Sequence, residues 1–193
     1  HGLHIVETKD DVESPDAQGV KARFEQTCKD AGVNGTLAVD VGDITQRISE
    51  RAVLTDLIVV KIVNPPSTGL SALQSPFRKI LADASRPLLT VPAAASQFQR
   101  ALLAYDGTDR AKEALFVATY LAEMWHTELL VFTAVDGFLK ADIQDYVRRY
   151  LDIHEVEAEY ILSEHGETEF LKKTAEEQGV DLVLMGSHGD SVL

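Results

Sequence analysis

Residues 181–189 have the sequence Asp-Leu-Val-Leu-Met-Gly-Ser-His-Gly, a short apolar run that ends in two glycines three positions apart. Residues 182–185 show no polar alternation, so we expect a strand covered on both faces, as in a parallel sheet packed by helices. Glycine after such a strand permits a positive φ and lets backbone amides approach a ligand, which phosphate binding requires. The stretch predicts a phosphate loop, although turns and tight helix packing use the same residues.

The same pattern occurs a second time, earlier in the chain. Residues 56–60, Asp-Leu-Ile-Val-Val, resemble residues 181–185, which lie 125 positions later. A glycine followed by an acid precedes each copy at a similar distance, at 42–43 and 166–167, and each pair should lead into a helix. A period of this length predicts a domain duplication rather than a solenoid repeat.

The two copies predict two tandem domains, residues 1–95 and 98–193, joined by a short Ala-rich linker. The first copy begins at what should be its second strand, and the second copy stops just past its glycine turn. We therefore expect a chain truncated at both ends. Its first domain would lack the first strand and helix, and its second domain the last helix and strand.

Local periodicity predicts a β-α-β-α order in both domains, hence an α/β fold with parallel sheets and right-handed crossovers. The expected strands cover residues 3–6, 36–41, 56–60, 87–91, 101–105, 129–135 and 156–162, and the last of these alternates as a half-exposed edge strand does. The expected helices cover residues 17–30, 44–52, 77–84, 111–125 and 143–151.

Composition excludes several classes of function. The net charge of −13 disfavours binding to nucleic acid and to anionic membranes. No apolar run approaches the roughly 18 residues of a membrane span, and no signal peptide is visible. We expect a cytoplasmic protein without membrane or nucleic-acid partners.

The chemistry of the second domain should lie where the winding of its sheet reverses. If the third strand is an edge, the chain must cross back over the first strand so that the fourth strand lies on its other side. The carboxyl ends of the first and fourth strands then meet at one crevice. Asp106 and Gly186 would face each other there. Asp106 could accept hydrogen bonds from a ribose hydroxyl or an adenine amino group, or it could be the N-cap of the next helix.

These residues resemble those of the universal stress protein family. The resemblance is carried by the motifs at residues 105–108 (Tyr-Asp-Gly-Thr) and 185–189 (Met-Gly-Ser-His-Gly), and it extends into the first copy at residues 86–92. It covers nearly the whole chain.

The resemblance implies two tandem open parallel-sheet domains that are Rossmann-like and adenine nucleotide-binding-like, with strand order 3-2-1-4-5. It also implies a G-x2-G-x9-G-[ST] phosphate motif, whose end would fall beyond Leu193. The ligand would be ATP or AMP, with or without Mg²⁺. The implied nucleotide-binding residues are Tyr105 and Asp106 at the adenosine, Ala134 at the base, and Met185, Gly186, His188 and Gly189 around the phosphates. Asp190 departs from the family pattern, because an acid beside phosphates is unfavourable.

The first copy departs further from the motif. Lys61 replaces the first glycine, residues 64–66 (Asn-Pro-Pro) lack two N–H donors, and Gln74 precedes Ser75 where the family has glycine. These changes predict a domain that has lost nucleotide binding, unless Lys61 reaches a phosphate with its ammonium group.

We expect a stress-response module in which the second domain binds an adenine nucleotide. The first domain would be its partner in an intrachain pseudo-dimer, or in a homodimer, through edge strands such as residues 87–91. The alternative is a ligand-free scaffold of the same fold. An ATP-hydrolysing enzyme has little support, since no basic residue stands beside the glycine turn in the sequence. A receiver-type domain would need an acceptor aspartate after its third strand, where this chain has Ser163 and Glu164.

Overall fold

The structure, a computed structural model, describes residues 2–7, 15–61, 76–92, 96–134, 142–164 and 168–186. The chain divides into two compact units, His1–Ala93 and Ala94–Leu193. Strands and helices alternate along both units, and every strand pair in the described residues is parallel. The predicted α/β class with parallel sheets is confirmed.

The first unit contains two parallel strand pairs. Its strands are β1 (Gly2–Glu7), β2 (Gly35–Asp40), β3 (Ile58–Lys61) and β4 (Leu88–Val91), and its helices are α1 (Pro15–Ala31), α2 (Ile44–Ala52) and α3 (Pro76–Asp83). β1 pairs with β2, and β3 pairs with β4. Within the described residues these pairs form two separate two-stranded sheets.

The turn into α2 follows the predicted glycine-acid pattern. Gly42 has a φ of +128°, which a residue with a side chain rarely adopts. Asp43 caps the helix, because its Oδ1 accepts a hydrogen bond from the Gln46 amide at 2.9 Å. At the other end of α2, Arg51 donates to both carboxylate oxygens of Asp40 at the end of β2, at 2.6 and 3.0 Å. This hydrogen-bonded pair lowers the pKa of Asp40.

The expectation of a buried strand at residues 56–60 is wrong in two respects. β3 begins two residues later, at Ile58, and its residues alternate between half-buried and exposed. Val59 is 56% exposed. β3 pairs with one strand, β4, in the described residues. Which of its faces are covered depends on the elements that pack over the sheet, and the apolar sequence alone does not specify them.

The second unit contains a four-stranded parallel sheet in the order β7-β6-β5-β8. Its strands are β5 (Arg100–Ala104), β6 (Glu128–Ala134), β7 (Ala158–Ser163) and β8 (Leu182–Met185), and its helices are α4 (Asp109–Trp125), α5 (Ile143–Ile153) and α6 (Thr168–Glu177). β7 lies at an edge, as its alternation predicts. The predicted order 3-2-1-4-5 extends beyond these four strands and stays a prediction.

The core of this unit lies on both faces of β5 and β6. On one face, Leu103 and Val131 pack with residues of α4 and α5 such as Leu115 and Leu151. On the other face, Leu102, Leu130 and Phe132 pack against side chains of α6, including Phe170 and Leu171. Burying apolar side chains on both faces is the main stabilising contribution to such a sheet.

Within the described residues β8 is covered on one face, whereas residues 182–185 were expected to be covered on both. Leu182 and Leu184 pack against the core on the side of α4. Val183 and Met185 alternate with them and are 40% and 44% exposed. β8 is an edge strand of the described sheet, so its second face depends on which other element crosses it rather than on its own sequence.

Candidate functional site

The carboxyl ends of β5 and β8 lie side by side, and we call this part of the second unit the carboxyl edge. Ala104 pairs with Met185 in the parallel register. Gly186 follows Met185 directly and Asp106 follows Ala104 after one residue, Tyr105, so both lie at the same edge with no strand between β5 and β8. The carboxyl ends of β5 and β8 are thus adjacent, as the winding of the sheet predicted, and a shared crevice between Asp106 and Gly186 stays a prediction.

Thr108, rather than Asp106, is the N-cap of α4. Its Oγ1 accepts a hydrogen bond from the Ala111 amide at 3.2 Å. Asp106 Oδ1 in turn accepts from the Thr108 amide at 3.0 Å and from the Thr108 hydroxyl at 2.7 Å. The interpretation of Asp106 as the N-cap is wrong: its carboxylate orients the residue that caps the helix.

Gly107 lies between these two residues and must be glycine. Its φ of +81° is in the left-handed region, and an added Cβ would stand 3.3 Å from Cγ2 of Ile143 on α5. The turn between β5 and α4 is therefore fixed by its backbone as well as by its hydrogen bonds.

Gly186 packs directly against the first turn of α4. A Cβ at this position would lie 2.6 Å from the Ala111 nitrogen and 2.6 Å from the Arg110 carbonyl carbon, closer than real side chains approach backbone. We expected this glycine to provide a positive φ, but its φ lies outside that region. The reason for glycine here is steric, and it brings the end of β8 against a helix N-terminus, where backbone amides favour anions.

One basic residue of α4, Arg110, lies beside Gly186, contrary to the inference that none stands beside the glycine turn, and Lys112 lies two residues further along the helix. Arg110 contacts the position where Gly186 would carry a side chain, is 60% exposed at its side chain and pairs with Glu113 at 3.0 Å. Lys112 Nζ lies 2.9 Å from Asp109, whose hydrogen bond raises the pKa of Lys112. Sequence reasoning missed Arg110 because 76 positions separate it from Gly186.

The other predicted residues are placed less directly. The Tyr105 ring is 3% exposed in the core, and burial above all raises its pKa to about 12, so only its backbone is available to a ligand. Ala134 is half-buried at the end of β6, opposite Ser163. Met185 is partly exposed. His188, Gly189 and Asp190 lie outside the described residues.

The motif positions of the first unit are described only in part. Lys61 is the last residue of β3 and is exposed. Residues 64–66 and 74–75 lie outside the described residues, so the loss of binding inferred from them stays a prediction.

The carboxyl edge brings together the Asp106 carboxylate, the N-terminus of α4 in contact with Gly186, and the cationic side chain of Arg110. This donor and acceptor set fits a ligand that carries hydroxyl or amino groups at one end and an anionic group at the other. Among the described residues, no group of three or more His, Cys, Asp or Glu side chains is arranged to hold a metal ion. In the same residues we find no helix with the length and apolar character needed to cross a bilayer.

Comparison with known sequences gives no assignment. No protein-family model matches this chain. No curated protein matches it either.

Several solved structures share the fold at low sequence identity. A universal stress protein from Archaeoglobus fulgidus DSM 4304 has a TM-score of 0.82 and 20% identity, over 98% of this chain and 75% of that chain. A functionally unknown protein from Pseudomonas aeruginosa PAO1 has a TM-score of 0.68 and 15% identity, over 99% and 73%. A protein from Pseudomonas aeruginosa UCBPP-PA14, provisionally assigned as a universal stress protein, has 0.67 and 16%, over 99% and 73%. The resemblance seen in the motifs is confirmed at the level of fold: this chain has the α/β fold of the universal stress proteins.

Proposed function

We propose that the chain is a stress-response module whose second unit binds an adenine nucleotide, ATP or AMP, at the carboxyl edge. The observation that carries the proposal is the contact of Gly186 with the first turn of α4, beside the turn that holds Asp106. A carboxylate and a helix N-terminus at adjoining turns match the two ends of an adenylate.

Each end of the nucleotide has a proposed partner. Asp106 accepts a hydrogen bond from the ribose or the adenine amino group, and the backbone of Ala134 contacts the base. The phosphates lie against the N-terminal amides of α4 and the Gly186 turn, with Arg110 contributing a positive charge. By resemblance, His188 and Gly189 complete the phosphate site, and Mg²⁺ enters with the nucleotide.

The first unit is proposed as a partner that does not bind nucleotide. A lysine stands at position 61, where the second unit has Gly186. Association through edge strands such as β4, in an intrachain pseudo-dimer or a homodimer, and a cytoplasmic location belong to the same proposal.

Isothermal titration of the full chain with ATP and with AMP, each with Mg²⁺, tests the proposal. We expect saturable heat, and an affinity reduced about fivefold in Arg110→Gln, which removes one charge-assisted contact. Asp106→Asn should weaken binding similarly, because it keeps Oδ1 for Thr108 but turns the other acceptor oxygen into an NH2 donor. Arg149→Gln, an exposed arginine of α5, is the matched control and should leave the affinity unchanged.

The absence of heat with high micromolar protein would reject nucleotide binding and favour the ligand-free scaffold. Binding that is equally strong in the wild type and in both variants would place the nucleotide away from the carboxyl edge. Phosphate release measured on the same samples distinguishes binding alone from weak hydrolysis.

A further inference from the structure

A second site lies at the opposite end of the four-stranded sheet of the second unit. Because all four strands are parallel, their amino ends share one edge, away from Asp106 and Gly186. A cleft of about 720 Å³ opens there, and we call it the amino-end cleft. Its lining residues include Phe98, Trp125, Glu128 and Asp181.

The amino-end cleft offers an aromatic surface. The Phe98 and Trp125 rings stack with their centroids 5.9 Å apart and their planes inclined by 9°. Trp125 is nevertheless 57% exposed. A stacked aromatic pair with so much surface left in solvent is a platform for a flat ligand.

The chain holds Phe98 in this position against its backbone preference. Its φ of 53° is in the left-handed region, which is uncommon for a residue of this size. The Phe98 amide donates to Ser96 Oγ at 3.1 Å, and that hydroxyl donates to the Asp181 carbonyl at 3.0 Å. These bonds fix the segment before β5, and with it the aromatic pair.

The charges around the cleft favour a cation. Arg100 is paired with two carboxylates, Glu128 at 3.3 Å and Glu159 at 2.8 Å. Asp181 adds a carboxylate to the lining, so the cleft is lined by two carboxylates, Glu128 and Asp181, against one arginine, and Glu159 lies outside the lining. The C-terminus of α4, which ends at Trp125, contributes partial negative charge from its carbonyl groups to the same place.

We propose that the amino-end cleft binds a guanidinium group, stacked on Trp125 and hydrogen-bonded to Glu128. A guanidinium is flat and cationic, so it can lie on an indole face while its edge donates to a carboxylate. A phosphate or carboxylate ligand is disfavoured by the surrounding charge. This site is independent of the carboxyl edge, so the two proposals can fail separately.

Calorimetric titration of the full chain with N-acetyl-arginine amide tests the proposal, with N-acetyl-citrulline amide as the neutral ligand of the same shape. We expect saturable heat with the arginine compound only. Trp125 is the single tryptophan in the chain. Its fluorescence should therefore change over the same concentration range and report the location of binding.

Two variants distinguish binding of the arginine compound at the amino-end cleft from nonspecific electrostatic attraction of a cation to an acidic protein. Glu128→Gln should weaken binding about threefold, as expected for an exposed ion pair, and Trp125→Leu should weaken it to a similar extent. Glu113→Gln carries the same charge change near the other end of α4, about 18 Å along the helix, and should have no effect. Glu128 is exposed at the start of β6, so its variant is expected to fold.

The proposal is overturned if the arginine compound gives no heat, if the citrulline compound binds equally well, or if heat appears without a change in Trp125 fluorescence. A capped Gly-Arg-Gly peptide distinguishes two sources of the guanidinium. Tighter binding of the peptide would assign the site to an arginine side chain of a partner protein. Equal or weaker binding would assign it to a small molecule.

Discussion

At the scale of single residues, Asp181 connects the start of β8 to the start of β5. Its carboxylate accepts hydrogen bonds from the amides of Gln99 at 3.1 Å and Arg100 at 3.0 Å. Burial opposes ionisation, but these bonds and Ser96 outweigh it and lower the pKa of Asp181. Because the folded-state pKa is lowered, the stabilisation is present above the unfolded pKa of about 3.9. It is lost as the pH falls through the folded-state value.

Asp181→Asn should therefore lower the free energy of unfolding by about 1 kcal/mol at pH 7, as expected for a hydrogen-bonded charge that is partly exposed. The deficit should shrink below about pH 4, where the wild-type carboxyl also loses its charge. Urea unfolding at both pH values measures it. Glu157→Gln, an exposed carboxylate before β7, is the control, and a deficit that is independent of pH would contradict the argument.

Single residues also show which parts of the candidate site could be predicted from the sequence. Asp106 and Gly186 could be placed from the rule that parallel strands share a carboxyl edge. Arg110 could not, because its position depends on how closely β8 approaches α4. The steric reason for glycine at position 186 was not predictable either, because a contact with a distant helix turn leaves no local pattern in the sequence.

At the scale of elements, α4 contributes to both proposed sites, one at each end. Its N-terminus depends on the hydroxyl of Thr108, which accepts from Ala111 and donates to Asp106. Thr108→Ala should cost about 1 kcal/mol of stability, since it removes the cap and leaves Asp106 without that donor.

Thr108→Ser is the matched control for the cap, because it retains the hydroxyl and should stay within about 0.5 kcal/mol of the wild type. Denaturant unfolding of the full chain measures both variants. Equal losses in the two would show that the methyl group, rather than the hydrogen bonds, stabilises the turn.

The elements themselves were largely predictable. Local periodicity predicted a helix at residues 111–125, where α4 lies, and the alternation of β7 predicted an edge strand. The exposed face of β8 was not predictable, since Val183 and Met185 are as apolar as their covered neighbours. Coverage of a second face is decided by tertiary packing, which the sequence of one strand does not encode.

At the scale of the whole molecule, the two units bury their strands unequally. In the second unit, Leu102, Leu103, Leu130 and Val131 are fully buried. Among the described side chains of the first unit, none that belongs to a strand is buried, and the core there comes from helix residues such as Ile80.

Hydrogen exchange should reflect this difference. Amides of β5 and β6 should exchange at least about tenfold more slowly than those of β3 and β4, because strands with more buried contacts open only in larger unfolding events. Mass spectrometry of peptides covering these strands, in the full chain, measures the rates. Similar protection in all four strands would mean that both units unfold together.

The close approach of Gly186 to α4 has a consequence for protein engineering. A library that diversifies the carboxyl edge should hold position 186 constant, because even a methyl group would stand 2.6 Å from main-chain atoms of α4 and force the backbone to shift. Arg110 is the position to vary instead, because its side chain is 60% exposed and changing it leaves the backbone contact of Gly186 in place. Ligand preference can thus be changed from the helix while the loop is left untouched.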